Sequence, residues 1–227
     1  MTAAPVQYAE QTAFWEKKRD KRKPDHPAVR AFAQPKVELI SNLLNVTNQT
    51  RILDVGCGTG FFTYYWAQKT PHVVGLDFSQ EMLQKNENPN CVRGKAEALP
   101  FKDESFDLVF CSNLLHHVED PVHVVKEMAR VSKHHVVLSE PNARNPFMNL
   151  FSRMVKEENG ALKFDPGYVQ SIAHNAGLRE IYLGEHGSVV PNRTPGWMIP
   201  LVKPLNRPID RGFYIVYVGD RLATVEY

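Results

Sequence analysis

The residues best suited to chemistry in this chain of 227 residues are an aspartate and three glycines at two-residue spacing. Asp54 precedes Gly56, Gly58 and Gly60 in the stretch Leu-Asp-Val-Gly-Cys-Gly-Thr-Gly. Glycines let a backbone turn sharply and approach a ligand with no Cβ in the way. A carboxylate beside such a loop repels a pyrophosphate and attracts a cation. The spacing also differs from the Gly-x-Gly-x-x-Gly pattern that holds a dinucleotide, so an NAD-dependent dehydrogenase is disfavoured.

A second carboxylate, Asp77, follows the apolar residues 73–76. It lies roughly 20 residues beyond the first glycine, where an acid at the end of a second strand can bind both hydroxyls of a ribose. Phe78 and Met82 come next and are placed to flank an adenine ring. Ser79 is expected to cap a helix, because its hydroxyl can accept a backbone N–H bond. These residues predict a site for a nucleoside.

Two adjacent histidines, His116 and His117, are the candidate catalytic residues. They follow the apolar run 106–111 and are expected at the carboxyl end of a buried strand, the edge where open α/β sheets bind ligands. With an unperturbed pKa of about 6.5, a histidine there can take a proton from a hydroxyl or an acidic carbon. His117 is slightly preferred as this base. The alternative is that both rings only shape the pocket or cap a turn.

The glycine loop, Asp77 and two further segments together resemble the class I S-adenosylmethionine-dependent methyltransferases. One further segment is Gly-Lys-Ala-Glu-Ala-Leu-Pro-Phe at 94–101. The other is Leu-Leu-His-His-Val-Glu-Asp-Pro at 114–121, which is similar to the small-molecule group that includes ubiquinone and menaquinone biosynthesis enzymes. The resemblance covers 51 to 142 and is only architectural elsewhere. It implies S-adenosyl-L-methionine as cofactor, and its ammonium and sulfonium suit an acidic loop.

The resemblance also implies which residues hold that cofactor. They are Asp54, Gly56, Cys57, Gly58 and Gly60 in the loop, Asp77, Phe78 and Met82 after the second strand, Ala96 and Glu97 beside the adenine, and Ser112 after the fourth strand. Lys95 stands where related enzymes usually have an aspartate. Since a lysine cannot accept a hydrogen bond, the adenine amine is expected to go to Glu97, a carbonyl or water.

The elements that must position these residues are those of an α/β fold. We expect one methyltransferase domain with a Rossmann-like sheet of seven strands, mostly parallel with an antiparallel last strand, and helices on both faces. Residues 1–50 would form a helical lid, 51–142 the cofactor-binding core and 143–227 the substrate-side insertions and last strands. Sequence patterns predict strands at 52–55, 72–77, 106–111, 134–140, 178–184 and 213–219, and helices at 8–18, 36–44, 61–68, 120–131 and 165–176.

The acceptor of the methyl group is expected to be a small hydrophobic or amphiphilic molecule. The long connection 187–211 holds five prolines and several large apolar residues, and the segment 141–160 is rich in Phe and Met. Long connections in compact domains are more often functional than idle. The Asn/Asp-Pro-Pro-aromatic motif of adenine and glutamine N-methyltransferases is absent, and O-, C- and N-methylation stay open. The candidate substrate contacts are Tyr8, Trp15, Glu140, Asn142 and Trp197.

The composition bears on the partners of the protein and on its cellular compartment. The net charge of +2 gives no sign of a nucleic-acid partner. Three unclustered cysteines and the absence of a zinc-like Cys/His spacing predict a reduced cytoplasmic protein without a metal. No apolar run approaches a membrane span, although peripheral membrane contact is an option for the basic run 17–23. Two alternatives are an RNA base methyltransferase that uses this run as an arm, and a non-catalytic partner protein of the same fold.

Overall fold

The computed structural model describes residues 22–202, 204 and 207–221. Within them, a seven-stranded sheet has the strand order β3-β2-β1-β4-β5-β7-β6. The strands are β1 (Ile52–Val55), β2 (Val73–Asp77), β3 (Cys91–Arg93), β4 (Phe106–Ser112), β5 (Ser132–Pro141), β6 (Leu178–His186) and β7 (Tyr214–Arg221). The helices are α1 (Pro27–Leu44), α2 (Phe61–Trp66), α3 (Gln80–Leu83), α4 (Pro121–Val131), α5 (Pro146–Met154), α6 (Pro166–Asn175) and α7 (Ile199–Val202). Three 3₁₀ segments span Leu115–His117, Lys156–Lys163 and Gly196–Met198.

The sheet is parallel from β3 to β5, and β7 is antiparallel to both of its neighbours. The predicted fold class is therefore confirmed. The chain reverses its direction of winding between β1 and β4, and the carboxyl ends of β1, β2, β4 and β5 share one edge. Ligands of open α/β sheets bind in the crevice at such a switch point. The fold thus brings the glycine loop, Asp77 and the two histidines to one edge.

The central strands are apolar because helices cover both faces of the sheet. All four residues of β1 are buried. On one face, α4 and α6 pack against the sheet through residues such as Met128 and Ile172. On the other face, α1 and α2 contribute Phe32 and Trp66 to a second buried cluster around Phe110. The edge that carries the site is thereby fixed by packing on two sides.

The predicted helix starts are confirmed by their caps. The Ser79 hydroxyl accepts the Met82 N–H at 3.3 Å, Asp120 accepts the His123 N–H at 3.0 Å, and Asp165 accepts the Tyr168 N–H at 2.8 Å. The helix predicted at 36–44 begins earlier, at Pro27, because Pro suits a first helical turn and the His26 ring accepts the Ala28 N–H. The helix predicted at 8–18 lies outside the described residues.

Candidate functional site

The glycine loop joins β1 to α2 in a conformation that ordinary side chains avoid. Gly56, Gly58 and Gly60 have φ angles of +71°, +51° and +90°, which lie in the region that favours glycine. The Gly56 N–H donates to the Leu76 carbonyl at 2.7 Å and ties the loop to the end of β2. A Cβ added at Gly58 would meet no atom within 4 Å. The loop therefore keeps open space in front of Gly58, where a ligand fits and a side chain would intrude.

Asp77 ends β2 with its carboxylate held in one orientation. Its Oδ2 accepts the Gly58 N–H and its Oδ1 accepts the Ser79 N–H, both at 2.9 Å. Burial raises the pKa of Asp77, and these backbone hydrogen bonds oppose the rise. An ionised carboxylate has about four acceptor positions, and these backbone donors do not fill all of them, so a hydroxyl donor from a ligand can still bind. This geometry suits a ribose diol.

Asp54 is a buried carboxyl group beneath the same loop. Its Oδ2 accepts the Thr63 hydroxyl at 2.6 Å, and the residue is 2% exposed. Burial raises its pKa to about 7, with a further contribution from the charge of Asp77, although the Thr63 hydrogen bond lowers it. A cationic ligand nearby would favour the ionised form. The site therefore combines two carboxylates, which suits a positively charged nucleoside and not a phosphate.

These groups open on a cavity of about 310 Å³. Ten of the eleven residues predicted to bind the cofactor line it, namely Asp54, Gly56, Cys57, Gly58, Asp77, Phe78, Met82, Ala96, Glu97 and Ser112. Gly60 does not. It caps α2 instead, and a Cβ there would lie 2.5 Å from the Asn86 side-chain oxygen. Gly60 is therefore needed for the turn and not for contact with a ligand.

The rest of the cavity wall is mainly apolar. Its apolar members include Phe32, Phe61, Phe62, Leu114, Val118, Met148, Phe151, Val155 and Val190. The polar side chains among them include Asn113, His117, Glu158, Asn192 and Arg193. A small molecule in this half would be surrounded by aromatic and aliphatic groups and oriented by few polar ones, as in most small-molecule sites.

The two histidines have different surroundings. His116 lies behind the wall, with Nδ1 2.6 Å from Glu140 Oε2 and Nε2 3.2 Å from Glu158 Oε2. Burial would lower the pKa of His116, but the charges and hydrogen bonds of Glu140 and Glu158 raise it to about 9. His116 does not line the cavity, and both of its ring nitrogens lie beside carboxylates, so the geometry does not favour it as a base. His117, in contrast, lines the cavity.

Glu140 and Asn142 do not reach the cavity, and the expectation that they touch substrate is corrected. Glu140 is fully buried, and its Oε1 accepts the N–H groups of Leu114 and Leu115, each at 2.9 Å. Asn142 is also fully buried and donates from Nδ2 to the Gly212 carbonyl at 2.8 Å. Both residues hold the ends of neighbouring strands together and so support the wall from behind.

The connection after β6 does border the cavity, but not through Trp197, the residue predicted to contact the substrate. Trp197 is 74% exposed and lies outside the cavity wall, whereas residues 190–193 form part of that wall. Arg22, from the basic run, donates to the carbonyls of Pro191 and Thr194 and fastens the start of α1 to this segment. Tyr8 and Trp15 lie outside the described residues.

Sequence reasoning missed Glu158. It follows His116 by 42 residues and lies in the 3₁₀ segment Lys156–Lys163 of the insertion. A single glutamate in a polar stretch carries no motif. Only the folding of the insertion back onto the strand ends brings it to the wall. No signal in the sequence would have identified it.

Comparison with known proteins agrees with this geometry. Residues 53–139 match a family described as "Methyltransferase domain". A demethylmenaquinone methyltransferase from Staphylococcus aureus (strain JH9) is 35% identical over 136 residues, which cover 55% of this chain and 56% of that protein. One from Bacillus licheniformis is 43% identical over 101 residues, covering 40% and 44%. The chain thus spans about half of the length of these relatives.

Solved structures share the fold over most of the chain. An S-adenosylmethionine-dependent methyltransferase from Thermotoga maritima, described as a possible histamine N-methyltransferase, has a TM-score of 0.63 at 18% identity and covers 86% of this chain and 99% of its own. A magnesium protoporphyrin IX methyltransferase from Synechocystis PCC 6803, solved with its bound cofactor, has a TM-score of 0.58 at 15% identity and covers 96% and 93%. With the family match over residues 53–139 and the shared fold, the resemblance to S-adenosylmethionine-dependent methyltransferases expected from the sequence is confirmed.

Proposed function

We propose that the protein is a methyltransferase that uses S-adenosyl-L-methionine to methylate a small, largely apolar or amphiphilic molecule. The observation that carries this proposal is the Asp77 carboxylate, oriented by the N–H groups of Gly58 and Ser79 at the mouth of the glycine loop. That arrangement binds a ribose without a phosphate, and a non-catalytic relative would have no need of it. The match of residues 53–139 to the methyltransferase domain family supports the same conclusion.

The residues present fit this cofactor. When bound, it supplies a methyl group on a positively charged sulfur, and the leaving group is a neutral thioether. Asp77 would bind the ribose hydroxyls, and Asp54 would face the cationic end of the molecule. Phe78 and Met82 line the cavity where an adenine would be flanked. Because the methyl group is already activated, the main work of the protein is to align the two reactants and exclude water.

Among the residues that the structure describes, His117 is the one histidine that lines the cavity. For a hydroxyl or an acidic carbon, it would accept the acceptor's proton as the new bond to the methyl group forms. For an amine that reaches the site unprotonated, it would only orient the acceptor.

The acceptor is proposed to be apolar because the half of the cavity that surrounds it is lined by Phe32, Phe62, Met148, Phe151 and Val155. Two relatives of this chain are named for a methylation of demethylmenaquinone, a quinone. Isoprenoids, lipids and polyketides are likewise apolar or amphiphilic and would suit the same lining. These compounds offer different acceptor atoms, and the proposal covers the apolar class as a whole.

An exposed apolar surface beside this half of the cavity suggests how such an acceptor arrives. We call it the apolar lip; its members are Phe147, Leu150 and Met154 on α5 and Trp197 and Leu201 beyond residues 190–193, with exposures of 73, 57, 76, 74 and 69%. The opposite sides of these elements, including Met148 and Ile199, pack in one buried cluster. Exposed Arg153, Lys156 and Arg193 lie in the same segments. Apolar side chains bordered by cations suit peripheral contact with an anionic membrane.

Among the described residues, the structure contains no helix with the length and apolar character needed to cross a membrane. Contact with a bilayer would therefore be made by the apolar lip at its surface.

The experiment that tests this function supplies methyl-labelled cofactor to the purified protein together with separate fractions of a cell extract. We expect label in a product that partitions into organic solvent, and none with the Asp77→Ala variant. Total RNA is the matched alternative substrate. Label in RNA that falls steeply with salt would instead favour the RNA methyltransferase. No label in any fraction, with the cofactor bound, would favour a non-catalytic partner protein.

A further inference from the structure

Three metal-ligating side chains converge at the acceptor end of the cavity. His116 and His117 come from the segment Leu115–His117, and Glu158 comes from the insertion. One nitrogen or oxygen atom from each lies within 4.8 Å of the others. The sequence predicted no metal, since two adjacent histidines and a distant glutamate do not have the spacing of a known metal motif.

We propose that His116, His117 and Glu158 bind a divalent transition-metal ion. Two imidazoles and one carboxylate form the ligand set of Zn²⁺ in several hydrolases and of Fe²⁺ in non-haem oxygenases. Mg²⁺ and Ca²⁺ prefer oxygen ligands and are not expected here. The trio is largely buried, with side-chain exposures of 0% at His116 and 16% at Glu158, so it is unlike an exposed acidic cluster.

The surroundings of His116 are those of a metal ligand with a fixed orientation. Its Nδ1 lies 2.6 Å from Glu140 Oε2, while its Nε2 points towards Glu158. Glu140 is itself held by the N–H groups of Leu114 and Leu115. Ligating histidines usually donate their other ring N–H to such a carboxylate. A metal ion between Nε2 and Glu158 takes the place of the proton that these two atoms otherwise share.

The geometry leaves the open side of this site towards the cavity. His117 and Glu158 line the cavity, and His116 lies behind the wall. Three protein ligands leave at least one position for water or for an oxygen of another molecule. If the proposed function holds, that molecule is the acceptor, which would then carry a hydroxyl or carbonyl oxygen near the methyl group. With an ion bound, His117 is a ligand and cannot also act as a base, so its proposed role as a base applies to the metal-free protein. Metal binding itself does not depend on the methyl transfer.

The test uses tag-free protein that has been treated with a chelator and then titrated with Co²⁺, followed by its visible absorption, and with Zn²⁺ in competition. We expect one ion per chain. Glu158→Gln and His117→Ala should each lower the affinity at least tenfold. Glu157→Gln is the matched control, because its carboxylate is next in sequence but outside the trio, and its affinity should equal that of the wild type.

Circular dichroism and the melting temperature of each variant show whether it is folded. His117→Ala provides a second folded variant if Glu158→Gln fails to fold. The proposal is overturned if the wild type binds no ion at one equivalent, or if both folded variants bind it as tightly as the wild type. Calorimetry with S-adenosyl-L-methionine on the same metal-free samples separates the two proposals. Cofactor binding without metal binding refutes only the metal site, and metal binding without cofactor binding refutes only the proposed function.

Discussion

The buried carboxyl group of Asp54 should make cofactor affinity depend on pH. Its pKa is about 7, against an ordinary value of 3.8, chiefly because it is buried. A cationic ligand favours the carboxylate, so below pH 7 the ligand competes with a proton. For one group with this pKa, the affinity should fall roughly 25-fold between pH 7.5 and pH 5.5, or about 1.9 kcal/mol. Above pH 8 the contribution of Asp54 should level off.

Asp54→Asn is the matched variant because an amide oxygen can still accept the Thr63 hydroxyl, while the charge is gone. It should bind the cofactor more weakly at pH 7.5 and lose most of the pH dependence. Calorimetry at pH 5.5, 6.5 and 7.5 measures both effects. If the wild type and Asp54→Asn show the same slope, or if the wild type shows none, the assignment of Asp54 to the cationic end of the ligand is refuted.

The same substitution has a second readout without ligand. The folded pKa of Asp54 lies above the unfolded value, so its contribution to stability is fully present below pH 3.8 and is lost as pH rises through 7. Above pH 7 the protein carries a buried charge that Asn lacks. Asp54→Asn should therefore raise the melting temperature at pH 8 and have little effect near pH 4. An equal shift at both pH values would show that the effect is not one of charge.

Three further predictions concern the loop, the wall and the apolar lip. Gly58→Val should abolish cofactor binding in calorimetry, because its φ of +51° and the ligand space both exclude a branched side chain; normal affinity would mean that the loop does not contact the ligand. His117→Ala should lower kcat, measured by transfer of labelled methyl, by ~10²–10⁴ and leave cofactor affinity unchanged. A loss below tenfold would mean that His117 does not act as a base and that the protein only aligns the reactants. Trp197→Ala should weaken binding to anionic vesicles roughly tenfold or more and leave the melting temperature unchanged; the reverse pattern would show that Trp197 seals the fold.

The sequence was sufficient to predict the fold class and the residues that meet at the glycine-loop end of the cavity, because both depend on local patterns. Gly56, Gly58 and Asp77 act through the turn between one strand and the next element, and the apolar runs on either side of them place that turn at the sheet edge. The caps at Ser79, Asp120 and Asp165 are equally local. These turns and caps could be predicted because the residues that form them are close in sequence.

The acceptor half could not be predicted in the same way because it depends on contacts across long stretches of chain. Glu140 ends a strand like a substrate-binding acid, yet its carboxylate is taken up by His116 and two backbone N–H groups. Trp197 lies in the expected connection, but its side chain is exposed to solvent. Residues 190–193 of the same connection line the cavity instead. Glu158 reaches the site only through the fold of the insertion.

Asp77 is the residue on which the assignment of the cavity to the cofactor depends most directly. Calorimetry with S-adenosyl-L-methionine should show binding to the wild type and a loss of ~1.5–3 kcal/mol, or roughly 10- to 150-fold, in Asp77→Ala, the scale of hydrogen bonds to a charged group. Asp210→Ala is the control, because this aspartate has a side chain that is 80% exposed and lies outside the cavity wall. Unchanged affinity in a folded Asp77→Ala variant would contradict the assignment of this cavity to the cofactor.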